Sequence, residues 1–149
     1  MSKEKLYIFD TTLRDGAQTQ GVDFSIDDKL KITHSLDNLG VDYIEGGWPG
    51  ANPTDTEFFQ KKINCKNSTI TAFGMTKKTG RSADNDPGLS ALINSNTKAV
   101  CIVGKSWDFH VDVALGISNE ENLENISEST KLFVKEKKEF MFDAEHFFD

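Results

Sequence analysis

The chain has 149 residues, 37% of them hydrophobic and 28% charged, which is enough for one globular domain with a buried core. Its net charge of −7, from 17 basic and 24 acidic residues, argues against general binding to nucleic acid. The longest apolar runs have the length of strands, which leaves no transmembrane helix, and the first residues lack a secretory signal. Two cysteines without a Cys-x-x-Cys pair fit a reducing compartment, so we expect a cytoplasmic protein without a membrane partner.

The chain opens with a strand, a polar turn and a helix. The apolar run "KLYIF" predicts the strand. The segment "SIDDKLKITHSLDNLG" predicts the helix, because Ser25 begins a capping-box pattern and Gly40 supplies a stop. Three apolar residues, Ile32, Leu36 and Leu39, lie at helical spacing in this segment.

The same alternation continues to the last residues. The segments "VDYIEGG", "TITAFG" and "KAVCIVG" predict the next three strands, and "EFMFDAEHFF" predicts a fifth. The segment "NPTDTEFFQKKI" predicts a helix capped by Asn52 with Pro53 in its first turn, and "DPGLSALINS" predicts a short third helix. The longest helix, "SNEENLENISESTKLFVKEK", begins at Ser118 and carries four apolar residues on one predicted face: Leu123, Ile126, Phe133 and Val134.

Strands that begin near residues 5, 41, 69, 98 and 138 and alternate with helices predict a parallel α/β sheet. Polar residues cluster just after the C-terminal end of each strand, which is the active-site face of a (β/α)₈ TIM barrel. A complete barrel needs roughly 200 residues or more. We therefore expect residues 1–149 to form the N-terminal portion of an incomplete TIM-barrel catalytic domain, about four βα units plus strand five.

The segment "DTTLRDG" carries the strongest chemical signal. The guanidinium of Arg14 is a permanently charged planar fork that suits carboxylates and oxyanions, and the adjacent carboxylate of Asp15 is a hard ligand for a divalent cation. Such a pair can orient a 2-oxoacid and stabilise negative charge as it develops. From these two residues alone, a surface Arg–Asp pair at a strand end is an equal alternative.

The longer segment "FDTTLRDGAQ" resembles the N-terminal signature of the metal-dependent acyltransferases and lyases with a TIM-barrel fold. That family includes 2-isopropylmalate, homocitrate and citramalate synthases and hydroxymethylglutaryl-CoA lyase. The resemblance continues through "VDYIEGGWPGANPTDTEFF", "TAFGMTKK", "GKSWDFHV" and "DAEHFFD", and these later blocks are most similar to the citramalate synthase branch.

The resemblance implies a Claisen-type condensation in amino-acid biosynthesis. Acetyl-CoA would be joined to a 2-oxoacid, with pyruvate and citramalate, an isoleucine precursor, as the first expectation. A 2-isopropylmalate or homocitrate synthase, in leucine or lysine biosynthesis, is the alternative within the family. A half-barrel that binds a metabolite or a partner without turnover is the alternative outside enzymology.

The resemblance also assigns roles to individual residues. Arg14 matches the catalytic arginine, Asp15 the metal-binding acid, and Glu145 the acid that helps to move the proton from the acetyl methyl group. Without the resemblance, Glu145 would be an ordinary carboxylate at a strand end. His146 follows directly, but strand alternation points it to the opposite face, so we expect a structural role for it.

Three further residues are candidates for substrate binding or for support of the catalytic residues. Asp10 and Gln18 lie in the first motif, where packing and turn roles are equally consistent with their positions. Glu45 lies at the end of the second strand, inside the expected mouth of the barrel, and we expect it to form a hydrogen bond that supports Arg14.

The metal site implied by the resemblance, for Mg²⁺ or Mn²⁺ with Zn²⁺ as a further option, is completed in the family by a His-x-His pair. This chain has three histidines and no such pair. We therefore expect an incomplete metal site and a 149-residue chain that is inactive alone. The resemblance also implies that the parent enzyme is a homodimer.

Overall fold

The computed structural model describes residues 4–148. Within them, one sheet contains five parallel strands in the order β1-β2-β3-β4-β5: Phe9–Asp10, Tyr43–Gly47, Thr69–Met75, Ala99–Lys105 and Glu139–Glu145. The α-helices, labelled α1 to α5, are Ile26–Leu39, Pro53–Gln60, Pro87–Ile93, Asp108–His110 and Asn119–Lys135. A π-helical segment, Val111–Leu115, continues from α4. The predicted α/β half-barrel is confirmed, and none of these helices is long and apolar enough to cross a bilayer.

The sheet is curled, as a hydrogen bond between its second and fifth strands demonstrates. The hydroxyl of Tyr43 on β2 donates to Glu139 Oε1 on β5 at 2.5 Å, although β3 and β4 lie between them. Three strand spacings would separate these strands by about 14 Å in a flat sheet. The bond raises the pKa of Tyr43 to about 12, with burial as a smaller cause. The concave side is therefore the interior of the half-barrel.

Helices cover the convex side, and three glycines let them approach the sheet closely. A Cβ atom at Gly46 would lie 2.6 Å from the Phe58 ring, and one at Gly74 would lie 2.5 Å from Leu92. At Gly104 a Cβ would meet the Phe142 ring at 2.7 Å. The main core lies in this layer, with Phe58, Leu92 and Phe133 among its completely buried members. Because strand residues alternate, Glu45, Phe73 and Asp143 face the concave side.

The predicted helix ends are confirmed where local chemistry sets them. Ser25 and Ser118 each accept a hydrogen bond from the backbone N–H three residues later and form complete capping boxes. Gly40 ends α1 at φ 87°, a left-handed conformation that favours glycine. Asn52 caps α2, with Pro53 in the first helical position.

Two strands differ from the sequence-based prediction. Strand β1 comprises Phe9–Asp10 rather than starting near residue 5, because Leu6 to Ile8 are exposed on the outer edge of the sheet and make few ladder bonds. Strand β5 ends at Glu145 rather than at residue 148. The chain turns there, and the amide of Phe147 donates to the carbonyl of Ala144 at 3.1 Å.

The predicted apolar faces of α1 and α5 are partly wrong. Leu39 is 78% exposed, and the buried side chains of α1 are Lys29, Thr33 and Asp37. Leu123 and Val134 of α5 are also largely exposed. Helical spacing identifies a set of apolar positions but does not say whether the sheet reaches all of them.

Asp37 is buried because the loop before β3 wraps around its carboxylate. It accepts hydrogen bonds from the backbone amides of Lys66, Asn67 and Ser68 at 2.9, 2.8 and 2.8 Å. The bond from Lys66 is the largest cause that lowers the pKa of Asp37 below 3.8, and burial opposes it. The carboxylate therefore joins the end of α1 to the start of β3.

We predict that Asp37→Asn lowers the free energy of unfolding at pH 7 by about 2 kcal/mol, since hydrogen bonds to a charged acceptor are lost. Because the folded pKa of Asp37 lies below 3.8, the wild type should be more stable than Asp37→Asn above pH 3.8. This difference in the free energy of unfolding is lost as the pH falls through the folded pKa. Urea unfolding at pH 7, 5 and 3 measures this, with exposed Asp23→Asn as the control. An advantage that persists undiminished at pH 3 and below would contradict the prediction.

Candidate active site

The loop after β1 places Arg14 and Asp15 in different surroundings. The backbone amides of Arg14, Asp15 and Gly16 all donate to the carbonyl of Thr11, at 3.1, 2.9 and 3.2 Å. Leu13 is completely buried and anchors this tight turn in the core. The Asp15 side chain is 63% exposed, whereas that of Arg14 is 16% exposed. The turn thus directs the arginine inward and the aspartate toward solvent.

Arg14 is held by contacts from the two neighbouring strands. Its Nε donates to Glu45 Oε2 at 2.6 Å, and its guanidinium carbon lies 3.8 Å from the centroid of the Phe73 ring. The ring of Trp48 packs edge-on against Phe73, with centroids 5.5 Å apart. A further contact joins Arg14 to Asp15 Oδ1 at 3.5 Å. The planar guanidinium therefore has a fixed orientation on the concave side of the sheet.

Glu45 is 1% exposed and belongs to an acidic group inside the half-barrel. Burial raises the pKa of the Glu45 carboxyl, Arg14 opposes this shift, and Asp143 and Asp15 add to it. Burial, followed by the charges of Glu45 and Asp143, raises the pKa of the Cys101 thiol to about 12. Asp143 and Cys101 were not singled out from the sequence, although alternation along β4 and β5 would place both on the concave face.

Glu145 forms an ion pair with Lys105, from the adjacent position on β4. The Lys105 side chain is 18% exposed and that of Glu145 is 38% exposed. The amide of Ser106 also donates to the Glu145 carbonyl at 3.3 Å, which ties the ends of the two strands together. Lys105 therefore contacts a candidate site residue, although it was not itself one of the sequence-based candidates.

Aromatic and histidine rings pack together after β4 and β5. The centroid of the Trp107 ring lies 4.7 Å from that of His110 and 5.9 Å from that of His146. The centroids of the two histidine rings are 4.4 Å apart. The alternation argument does not apply to His146, because it has left the strand with φ 58°. His110 is the last residue of α4. These contacts are consistent with the packing role predicted for His146.

The two remaining candidates lie at the end of β1 and in the loop that follows it, where Gln18 lines a cleft together with Arg14. Asp10 accepts hydrogen bonds from the amide and hydroxyl of Thr12 at 3.0 and 3.1 Å, which fits a turn role. Gln18 ends a 3₁₀ turn and is exposed. The catalytic, metal-binding and substrate-binding roles of all six candidates remain predictions.

Asp15 alone does not make a metal site. Residues 4–148 contain no group of three or more His, Cys, Asp or Glu side chains placed to hold a metal ion. A hard divalent cation takes six or more oxygen ligands, and an exposed carboxylate supplies only a small share of them. The described residues therefore fit one ligand of an oxygen site and not its complete coordination shell.

A cleft of about 590 Å³ opens beside the C-terminal end of β3. Its lining combines the apolar side chains of Trp48, Met75 and Leu115 with the basic side chains of Lys78 and Arg81. This composition suits an anionic ligand that has an apolar portion.

Residues 5–149 match the HMGL-like family. The (R)-citramalate synthase of Aquifex aeolicus is 52% identical over 148 residues, which cover 98% of this chain and 28% of that protein. The 2-isopropylmalate synthase 1 of Caldanaerobacter subterraneus is 36% identical over 146 residues, covering 97% of this chain and 36% of that protein. The chain thus spans about a third or less of the length of these relatives.

Solved structures share the fold at low sequence identity. The hydroxymethylglutaryl-CoA lyase of Pseudomonas aeruginosa superposes with a TM-score of 0.72 at 19% identity, over 93% of this chain and 45% of that one. An HMG-CoA lyase from Acinetobacter baumannii, in complex with coenzyme A and 3-methylmalate, gives a TM-score of 0.68 at 15% identity, over 92% of this chain and 44% of that one. The five-strand sheet thus corresponds to less than half of these chains.

We predict that Glu45→Gln changes how stability depends on pH. Because the folded pKa of Glu45 lies above 4.5, the folded state binds this proton more tightly, and the stability from Glu45 is lost as the pH rises above that value. The free energy of unfolding of the wild type should therefore fall relative to Glu45→Gln between pH 4.5 and 7, as urea titrations would measure. A relative rise would mean that the Arg14 ion pair outweighs the burial of Glu45.

Proposed function

Because this chain belongs to the HMGL-like family, we propose that it is the N-terminal part of the catalytic barrel of a citramalate synthase. The observation that carries the proposal is the partly buried Arg14, fixed by Glu45 and Phe73 on the concave side of the sheet. The 52% identity to an (R)-citramalate synthase supports pyruvate and acetyl-CoA as the substrates. The reaction would be carried out by the whole enzyme, of which this chain is a part.

Arg14 would bind the oxygens of the 2-oxoacid. In the proposed reaction a methyl proton leaves acetyl-CoA, the resulting enolate forms a C–C bond to the keto carbon of pyruvate, and the keto oxygen becomes an alkoxide. Hydrolysis of the thioester then releases CoA and citramalate. A guanidinium already oriented by Glu45 can stabilise the enolate and the alkoxide without reorganisation during the reaction.

Glu145 would help to move the methyl proton. Its ion pair with Lys105 keeps the carboxylate at the C-terminal end of β5, where a partly exposed group can reach a bound substrate. Proton transfer would proceed directly or through one water. Lys105 would act by holding this carboxylate in place.

Asp15 would supply one ligand to a divalent metal in the complete enzyme. Since the described residues do not complete a coordination shell, we derive no step of the reaction through that metal. The identity of the metal, a homodimeric parent and a cytoplasmic location are parts of the proposal that rest on the family resemblance.

The second candidate is a 2-isopropylmalate synthase, which would condense acetyl-CoA with 2-oxoisovalerate. The 36% identity to such a synthase supports membership of the same group of enzymes. Pyruvate is favoured because the identity to citramalate synthases is higher.

We predict that a chimera in which this chain replaces the matching segment of the Aquifex aeolicus enzyme releases CoA from acetyl-CoA when pyruvate is present. The rate with 2-oxoisovalerate should be at least about tenfold lower, because extra methyl groups must fit the pocket.

Arg14→Lys in the same chimera should lower kcat by about 100-fold, since a lysine cannot reproduce the oriented guanidinium fork.

A thiol-reactive dye measures the released CoA, and the exposed Lys62→Arg, outside the clefts described, is the control that should retain activity. Preference for 2-oxoisovalerate would replace citramalate by 2-isopropylmalate in the proposal. A folded chimera with equal rates for wild type and Arg14→Lys would remove Arg14 from the mechanism.

We predict that the 149-residue chain alone releases no CoA above background with either 2-oxoacid. Asp15 provides too few ligands for a divalent cation, and metal affinity depends on the number of ligands. The same dye assay, with and without added Mg²⁺ or Mn²⁺, checks this. Release at the rate of the complete enzyme would overturn the prediction and would show that the half-barrel is sufficient.

A further inference from the structure

An ion pair joins α1 to α2 beside a cleft of about 410 Å³ that Arg14 also lines, and it has no assigned step in the proposed reaction. Lys29 is 2% exposed and Asp55 is 8% exposed. The Lys29 ammonium donates to Asp55 Oδ1, and it also donates to the Gly46 carbonyl at 2.9 Å. The pair therefore contacts the backbone of β2 from the convex side.

The other carboxylate oxygen of Asp55 contacts the chain just beyond β2. It accepts a hydrogen bond from the Trp48 amide at 2.8 Å and one from Asn52 Nδ2 at 3.1 Å. Lys29 and Asp55 thus bind the backbone on both sides of Gly47. That glycine has φ 145°, and a Cβ atom on it would lie 2.5 Å from the Asp55 carboxyl carbon.

These contacts coincide with an irregularity in the strand. The register of β2 against β3 shifts between Glu45 and Gly47. Glu45, on one side of the shift, accepts the hydrogen bond from Arg14 Nε. Trp48, on the other side, packs against Phe73, whose ring lies under the guanidinium of Arg14. Both supports of Arg14 therefore depend on the backbone that the ion pair holds.

We propose that Lys29 and Asp55 are positioning residues for Arg14, which act by fixing the backbone from Gly46 to Trp48. Stability alone does not account for them, because apolar residues of similar volume often replace a buried ion pair without loss of stability. Apolar side chains could not donate to the Gly46 carbonyl or accept from the Trp48 amide. The catalytic consequence rests on the proposed role of Arg14, whereas the positioning itself is measured without substrate.

Arginine side-chain NMR on the 149-residue chain tests the proposal directly. Arg14 and Arg81 are the two arginines in the sequence, so ¹⁵N-arginine labelling gives two Nε–Hε signals, and Arg81→Lys assigns them. The Arg14 signal should show the slow exchange with water that the partly buried hydrogen bond to Glu45 produces. Lys29→Met and Asp55→Asn should each accelerate this exchange at least tenfold.

Phe133→Leu is the control for a merely structural effect. Phe133 is completely buried on α5, which packs against β4 and β5, and its truncation should destabilise the chain without changing Arg14 exchange in the folded state. Unchanged Arg14 exchange in folded Lys29→Met and Asp55→Asn would overturn the proposal.

A measurement on the wild type covers the case in which both variants fail to fold. The Trp48 amide, bonded to Asp55, and Arg14 Nε–H, bonded to Glu45, should exchange through the same opening event. Their opening free energies should then fall in parallel as low concentrations of urea are added. If the opening free energy for exchange of Arg14 Nε–H depends on urea differently from that of the Trp48 amide, the two groups open independently. The proposal is then wrong even though Lys29 and Asp55 remain paired.

Discussion

The contact between Arg14 and Glu45 sets the arrangement of the concave face. A guanidinium stays charged at all accessible pH values, and this one is mostly removed from water, so it needs an opposite charge nearby. Glu45 supplies that charge from β2, and Phe73 supplies an aromatic surface from β3. Because the two supports come from different strands, the orientation of Arg14 depends on the alignment of the first three strands of the sheet.

Three buried charged side chains, Lys29, Asp37 and Asp55, share one task, which is to bind backbone groups near the ends of strands. Lys29 and Asp55 bind the backbone at the end of β2, and Asp37 binds three amides before β3. Loops at strand ends contain amides and carbonyls without ladder partners, and burying them unpaired is unfavourable. The convex layer thus combines an apolar core with charged side chains that define where two of the loops begin.

Local chemistry made much of this fold predictable. Capping residues and alternating apolar segments act over a few positions, and the parallel half-barrel and helix ends followed from them. The motif around Arg14 and Asp15, and the acid Glu145, could be found by resemblance to a family. The ion pair of Lys105 with Glu145 could not be found in this way, because it depends on the register of two different strands. The buried face of α1 was also missed, since Lys29 is charged and only its distant partner Asp55 explains its burial.

The glycines under the helices divide the sheet into two faces with different tolerance for change. On the convex face, any side chain at Gly46, Gly74 or Gly104 would collide with a helix or a neighbouring ring, so a replacement there would force its neighbours to move. Glu45 and Phe73 on the concave face contact the side chain of Arg14 rather than a helix. A fold organised in this way can acquire new substrate preferences by substitutions on one side of its strands while the other side preserves foldability. Such a separation of constraints suits a scaffold for diversification by gene duplication.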